Sequence, residues 1–347
     1  AAAKARRINP KLEIIVYTEE EHISYGACGL PYYISGAIEQ ESRLIARTVE
    51  QFAAQQIKVH TRHQVARIQP AVQTVRVISL ETGDQTEVAF DSLVIATGAS
   101  ALMPPVQGRE RPGVFNVEDG IAVRRYLEER KPRSGVIVGG GYIGLEMAET
   151  LHQHGLSVTV VEMAPQIVPN MDEDMAAIVQ QYLTDRGIQV LTQEKVLALV
   201  GEEGTVPDDR TEGARIRPTL DSVRAKAADD LLTAAQEMGT GGLAPVRQAL
   251  TDRRQLTADL VIFSTGVIPN TRLAEEAGLE LGVRKAIRVN NRLATSVPGI
   301  YAAGDCAVTT HLVTGEEVYI PMGTTANKQG RTAGENAAGG NAVFKGV

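Results

Sequence analysis

The sequence has 347 residues, 43% of them hydrophobic, enough to bury a substantial core and to form two domains. Its net charge of −7 argues against nucleic acid as the main partner, which would favour a basic face. No apolar run approaches the ~18–20 residues that span a bilayer, and the opening AAAKARR lacks a signal-peptide core. No membrane association is therefore expected. Two cysteines, Cys28 and Cys306, make no disulfide framework, so the expected setting is a reducing cytoplasm with one reactive thiol.

In chain order, AAAKARRINP reads as the last turns of a helix, and KLEIIVYTEEE as a buried strand ending in acids. A helix tail feeding a strand is the second half of a βαβ unit whose first strand and turn are absent. VRVISLETGDQTEVAF predicts a hairpin turning at Thr82-Gly83-Asp84, and DSLVIA returns as a strand to a glycine turn. A linker with Pro104, Pro105 and Pro112 leads to the helical EDGIAVRRYLEERK. GVIVGGGYIGLEMAETLHQHG then predicts strand, glycine turn and helix, followed by the strand SVTVVE. Residues 205–245 interrupt the pattern with an amphipathic helix, TLDSVRAKAADDLLTAAQEMG. They read as an insertion between the strands VLALVG and VRQALTD. ADLVIFSTG, GIYAAGD and the Gly-Thr-Ala-rich helix GTTANKQGRTAGENAAGG complete the chain.

Two stretches carry dinucleotide chemistry. Gly139-x-Gly141-x-x-Gly144 directly follows a strand, opens a helix, and has Glu162 at the end of the next strand. Gly139 makes the tight turn, Gly141 admits a pyrophosphate, and Gly144 lets helix pack on strand. The helix N-terminus adds partial positive charge. Glu162 can accept from a ribose 2′-hydroxyl and repel a 2′-phosphate, and no Lys or Arg follows in MAPQIVPN, so NADH is expected rather than NADPH. In TSVPGIYAAGD, Asp305 ends a strand where a carboxylate can bind a polyol hydroxyl. With ATGA and STG, it points to two dinucleotide sites in one chain.

SYGACGLPYYISG, DSLVIATGA, VGGGYIGLEMAE, TSVPGIYAAGDCA and PMGTTANKQGRTAGENAAGG together resemble the FAD- and NAD(P)H-dependent pyridine nucleotide-disulfide oxidoreductases. The likeness is to the single-cysteine branch that holds coenzyme A-disulfide reductases, NADH oxidases and peroxidases, and persulfide reductases. It implies an α/β protein with two Rossmann-like domains. The FAD domain is discontinuous (1–115 and 267–347) and flanks an NAD domain (116–266) that carries the insert.

By this resemblance Cys28 is the redox-active residue. Dithiol members carry Cys-x-x-x-x-Cys, whereas position 33 is Tyr and position 23 is Ile, so Cys28 must cycle through a bond to an external molecule. It is expected at the start of a helix with Pro31 in the first turn, where the helix's positive end favours the thiolate. Cys306 reads as packing. The FAD contacts implied are Glu19, Val65, Ala96, Thr97, Gly98, Gly304, Asp305, Gly323 and Thr324. NAD contacts are Gly139, Gly141, Tyr142, Ile143, Gly144, Glu162 and Gly266, with Glu146 near the nicotinamide pocket. Arg6, Arg7 and Arg47 are candidates for coenzyme A phosphates, with Ser24 and Asn327 nearer the thiol. No metal site is expected.

The sequence departs from the family in four places. The first strand and glycine turn of the FAD site are missing, and Thr18 with Glu19 replaces the acid expected after Tyr17. Ala27 precedes the cysteine where coenzyme A-disulfide reductases often have Asn. The chain also stops at AVFKGV, where the family continues into a dimerisation domain, so a homodimer is expected of a full-length form. The implied activity is NADH-dependent reduction of coenzyme A disulfide or a related small disulfide or persulfide, serving cell redox homeostasis. An NADH oxidase or peroxidase working through a Cys28 sulfenic acid stays open, as does a flavin-free, non-catalytic remnant.

Overall fold

The computed structural model describes residues 1–202 and 243–347, with the backbone of the short strand pair Val206–Pro207 and Arg215–Ile216. The helix expected over 219–239 lies outside the described residues. Two compact units form. One combines Ala1–Tyr25, Ile45–Ser100 and Val267–Val347, and the other combines Gly26–Leu44 and Ala101–Gly266.

The second unit is built on a five-stranded parallel sheet. Its strands lie in the order Gln189–Leu191, Ser157–Val161, Ser134–Val138, Leu260–Phe263, Val114–Asn116. Both faces are covered, which is why GVIV and LVIF are continuous apolar runs rather than alternating ones. Successive side chains point to opposite faces. Ile137, Val160 and Ile262 therefore meet the helices Gly120–Arg130, Tyr142–Gln153 and Glu173–Asp185 through Leu127, Met147, Leu151 and Leu183. Val136, Val138, Val161, Val261 and Phe263 face the antiparallel strands Val196–Gly201, Val246–Thr251 and Gln255–Thr257, through Val196, Leu199, Ala249 and Leu256.

The unit boundaries differ from the expected 115/116 division, because residues 26–44 and 101–115 pack with the parallel sheet. Leu30 and Ile34 are buried, Ile34 in the helix-side core, and Gly120 has no Cβ where Leu30 presses on it. Apolar burial thus ties the cysteine-bearing segment to this unit.

In the first unit, Ile14–Tyr17 pairs in parallel with Ile57–His60, and Leu93–Ile95 with Ile300–Ala302. An antiparallel meander (His63–Gln69, Thr74–Ser79, Gln85–Ala89) carries the predicted hairpin, with Gly83 at φ +78°. Its Ile68, Val75 and Val77 share a core with Ile95, Ile300 and Cys306. The helix Ala2–Ile8 lies against Gly323–Ala337, linked by a 2.9 Å Lys4–Glu335 ion pair. Gly334 is required there because a Cβ would enter the backbone of Ala1.

Candidate functional site

In the second unit, strand order reverses between Ser134–Val138 and Leu260–Phe263, the place where open α/β sheets bind ligands beyond their strand carboxyl ends. Both following turns are glycine turns. Gly139, at φ +108°, sits so close to the Ser264 carbonyl that no side chain fits. A Cβ on Gly144 would strike the Gly139 carbonyl, whereas one on Gly141 would meet nothing within 4 Å. The turn is thus closed behind by Gly139 and Gly144 and open in front at Gly141. There the twelve-residue helix Tyr142–Gln153 begins with no side-chain cap on its free N–H groups. That is the shape and polarity an anionic pyrophosphate needs.

Around this opening, Tyr142 and Ile143 are exposed large side chains, Glu146 is exposed, and Gly266 turns at φ +96° after the neighbouring strand. Glu162 has a structural task that sequence reasoning missed. One carboxylate oxygen accepts the Gly140 N–H at 2.6 Å and the other the Ala164 N–H at 2.7 Å. Each oxygen keeps a lone pair for a sugar hydroxyl. No lysine or arginine occurs from Met163 to Asn170.

Cys28 belongs to the same unit and is exposed, while Cys306, in the other unit, is fully buried. Cys28 lies just before a helix with Pro31 in its first turn, as expected, but that helix is short. The cysteine sits in the 3-10 turn Ala27–Gly29, followed by the five-residue helix Leu30–Ile34. Gly36, at φ +85°, turns the chain away just beyond that helix. The Cys306 Sγ faces the carbonyls of Ile95 and Ala303, and burial pushes its thiol pKa up.

In the first unit, Gly304 (φ +88°) and Asp305 follow the strand Ile300–Ala302. Gln329, itself buried, accepts the Gly304 N–H at 2.8 Å and donates to the Val308 carbonyl at 3.0 Å. The Tyr319 hydroxyl donates to the Asp305 carbonyl at 2.9 Å. Burial pushes the Tyr319 pKa up to about 12, with the charges of Asp305 and Cys306 adding to the shift. The Asp305 Oδ1 is buried without a hydrogen-bond partner, and desolvation raises its carboxyl pKa. A buried acceptor left unpaired costs free energy unless a ligand supplies the donor. A polyol hydroxyl fits this need.

Gly323 and Thr324 form the exposed first turn of the fifteen-residue helix Gly323–Ala337, with Asn327 exposed one turn on. The turn Ala96-Thr97-Gly98 is held by Asn270, another residue missed in the sequence. Its Nδ2 donates to the Thr97 carbonyl at 3.0 Å, and its own carbonyl accepts the Thr97 hydroxyl at 2.6 Å. Glu19 is exposed and accepts from Gln64 at 3.1 Å. Val65 pairs with Val77 inside the meander. Ser24 is half-buried.

The three arginines suggested for phosphates differ. Arg6 turns its guanidinium onto the carbonyls of Pro10, Gln55 and Gln56, so it serves the local backbone. Arg7 is exposed, and Arg47 is exposed with its guanidinium 5.9 Å from the Phe52 ring centroid. Among the described residues no cluster of His, Cys, Asp and Glu could hold a metal ion. None of their helices is long and apolar enough to cross a membrane.

A parallel sheet with a glycine turn at its switch point, and a second strand-Gly-Asp turn, are the features of a dinucleotide-binding protein. Residues 1–330 match the family model described as pyridine nucleotide-disulphide oxidoreductase, and the chain belongs to that family. It is 36% identical over 348 residues to an NADH oxidase of Methanocaldococcus jannaschii, covering 99% of this chain and 68% of the relative. It is 31% identical to a CoA-dependent NAD(P)H sulfur oxidoreductase of Pyrococcus furiosus, covering 100% and 69%. The solved structure of reduced CoADR-RHD from Bacillus anthracis is similar at a TM-score of 0.84 and 31% identity, with 100% of this chain and 56% of that one covered. The chain therefore spans little more than half of that structure's length.

Proposed function

We propose that the chain is the FAD- and NADH-binding part of an oxidoreductase that reduces coenzyme A disulfide, or a related small disulfide or persulfide, through Cys28. Carrying this reading most directly is the contrast between its thiols: Cys28 lies open in the unit that bears the glycine turn, while Cys306 is sealed in apolar packing. The division of FAD and NAD binding between 1–115 with 267–347 and 116–266 belongs to the same proposal.

In this reading the Gly141–Gly144 turn and the free N–H groups of the following helix hold the NADH pyrophosphate, with Ile143 beside it. Glu162 receives the adenosine ribose hydroxyls, and Tyr142, Glu146 and Gly266 border the nicotinamide. Asp305 takes a ribityl hydroxyl on its unpaired oxygen. Gly323 and Thr324 donate backbone N–H groups to the flavin's pyrimidine edge, the turn Ala96–Gly98 with Gly304 leaves room for its chain, and Glu19 and Val65 attend its adenosine. Bound FAD supplies two-electron transfer between NADH and sulfur. The Cys28 thiolate attacks one sulfur of the disulfide and expels the first thiol, leaving a mixed disulfide on Cys28. Two electrons and a proton then cleave that bond, returning the thiolate and releasing the second thiol. The candidates for the phosphates of a coenzyme A half are Arg7 and Arg47, with Ser24 and Asn327 the candidates for contacts to the rest of that substrate. The setting is cytoplasmic, and the protein acts as a homodimer.

The 36% identity to an NADH oxidase supports a second reading, in which Cys28 cycles through a sulfenic acid and oxygen or peroxide is the acceptor. NADH consumption measured with coenzyme A disulfide, with polysulfide and with oxygen alone separates the two. Full turnover on oxygen alone overturns the first. Colourless protein that resists reconstitution with FAD overturns both.

A further inference from the structure

The segment that carries Cys28 is short. Its helix, Leu30–Ile34, has five residues, and its Pro31, Tyr32 and Tyr33 carbonyls accept the N–H groups of Ser35, Ile38 and Gly36 just beyond it. Two side chains from the parallel-sheet unit add to these bonds. Arg124, on Gly120–Arg130, donates to the carbonyls of Tyr33 (3.0 Å), Ile38 (3.1 Å) and Glu39 (3.2 Å). The same guanidinium lies 4.4 Å from the Tyr33 ring centroid and is held from behind by Glu128 at 3.1 Å. Only 22% of the Arg124 side chain is exposed, and its bonds to the Tyr33 and Ile38 carbonyls are partly buried. His154 follows the helix Tyr142–Gln153, and its Nε2 donates to the Ile34 carbonyl at 2.7 Å. That helix starts at the glycine turn at its other end.

We infer that Arg124 and His154 are positioning residues for Cys28: by binding the carbonyls at the end of the Leu30–Ile34 helix, they fix the thiol relative to the glycine turn. This rests on the reading of Cys28 as the redox centre. The guanidinium also lies over the Tyr33 ring while its Nε holds Glu128, a combination a lysine ammonium cannot make from one point charge, which gives the position a reason to be arginine. Misplacing a reacting group by ~1 Å can cost ~100-fold in rate, so the hold is functional as well as structural.

The test compares Arg124→Met, His154→Leu, His154→Gln and Cys28→Ser in the flavin-loaded protein. Hydrogen exchange of the amides in 30–38 and the pH profile of Cys28 alkylation by iodoacetamide are read together with turnover. Arg124→Met and His154→Leu are expected to lower amide protection in 30–38 about tenfold. Protection of the Ser134–Val138 strand should stay unchanged and the alkylation profile should move. Their kcat should fall about tenfold or more, with KM for NADH within about twofold. His154→Gln, whose amide can donate to the same carbonyl, should stay near the parent. If Arg124→Met does not fold, the His154 pair carries the test. Unchanged exchange in folded variants overturns the inference, as does full kcat in Arg124→Met while Cys28→Ser is dead. Full turnover by Cys28→Ser instead overturns the cysteine reading beneath it.

Discussion

Glu162 and Gly140 are joined by a 2.6 Å hydrogen bond in which the carboxylate accepts the backbone N–H, and the other oxygen of the same group holds Ala164. The acid proposed to select NADH therefore also braces the turn that would bind its phosphates. Charge-assisted hydrogen bonds contribute roughly 1.5–3 kcal/mol each. Glu162→Ala should weaken NADH binding at least about tenfold without a matching gain for NADPH, because both dinucleotides use the same turn. Fluorescence titration with the two dinucleotides decides it. A variant that binds NADPH as tightly as the parent binds NADH would show that Glu162 acts on the ribose alone.

Gly141 and Gly144 should fail in different ways. Alanine at 144 drives a methyl group into the Gly139 carbonyl, an overpacking that costs ~1–3 kcal/mol. Alanine at 141 meets no protein atom within 4 Å and has an ordinary φ of −77°. Gly141→Ala should therefore melt within about 2 °C of the parent yet lose NADH affinity, whereas Gly144→Ala loses both. Paired thermal melts and titrations read the contrast.

Asp305 gives a prediction with a definite pH sign. Burial raises its folded-state pKa, so the folded protein binds this proton more readily than the unfolded chain. The penalty of the unpaired carboxylate is then fully present above the folded pKa and disappears as pH falls below the unfolded value. Asp305→Asn should raise the flavin-free melting temperature by about 2–4 °C at pH 8, with the gain shrinking in acid. Flavin affinity should fall at the same time. A variant less stable than the parent at pH 8 would mean that the carboxylate has a partner stabilising its charge.

The two thiols should separate cleanly. Native protein should react with a thiol reagent at one site quickly and at the second only after unfolding, since Cys306 is fully buried and burial lifts its pKa. Cys28→Ser should remove the fast phase, keep the flavin and abolish disulfide reduction. Two fast thiols in the native state would contradict the packing around Cys306.

What could be read in advance was what is encoded locally. The strand, glycine turn and helix at 134–153 follow from apolar runs, from the stereochemistry of Gly139 and from helical spacing, all within one short window. The hairpin at Gly83 and the strands on either side of the insertion were legible for the same reason. The residues that were missed act at a distance in sequence. Asn270 closes the Thr97 turn from 173 positions away, Arg124 reaches Ile38 from 86, and Gln329 reaches Gly304 from 25. Nothing in a lone Asn, Arg or Gln announces such a partner. Arg6 shows the same limit: the resemblance suggests it for a phosphate, but the sequence alone does not reveal that three carbonyls accept from it.

The strands Val196–Gly201 and Val246–Thr251 are antiparallel neighbours, with Gly201 opposite Val246. The chain leaves this strand pair at Gly201 and re-enters it at Val246. Lengthening a flexible connection between two fixed ends costs only ~0.6 kcal/mol for each doubling of its length. This point of the chain can accordingly gain or shed whole elements over evolutionary time while the sheet beneath keeps its register. It is also where a reporter domain could be grafted with the least disturbance to the dinucleotide turn.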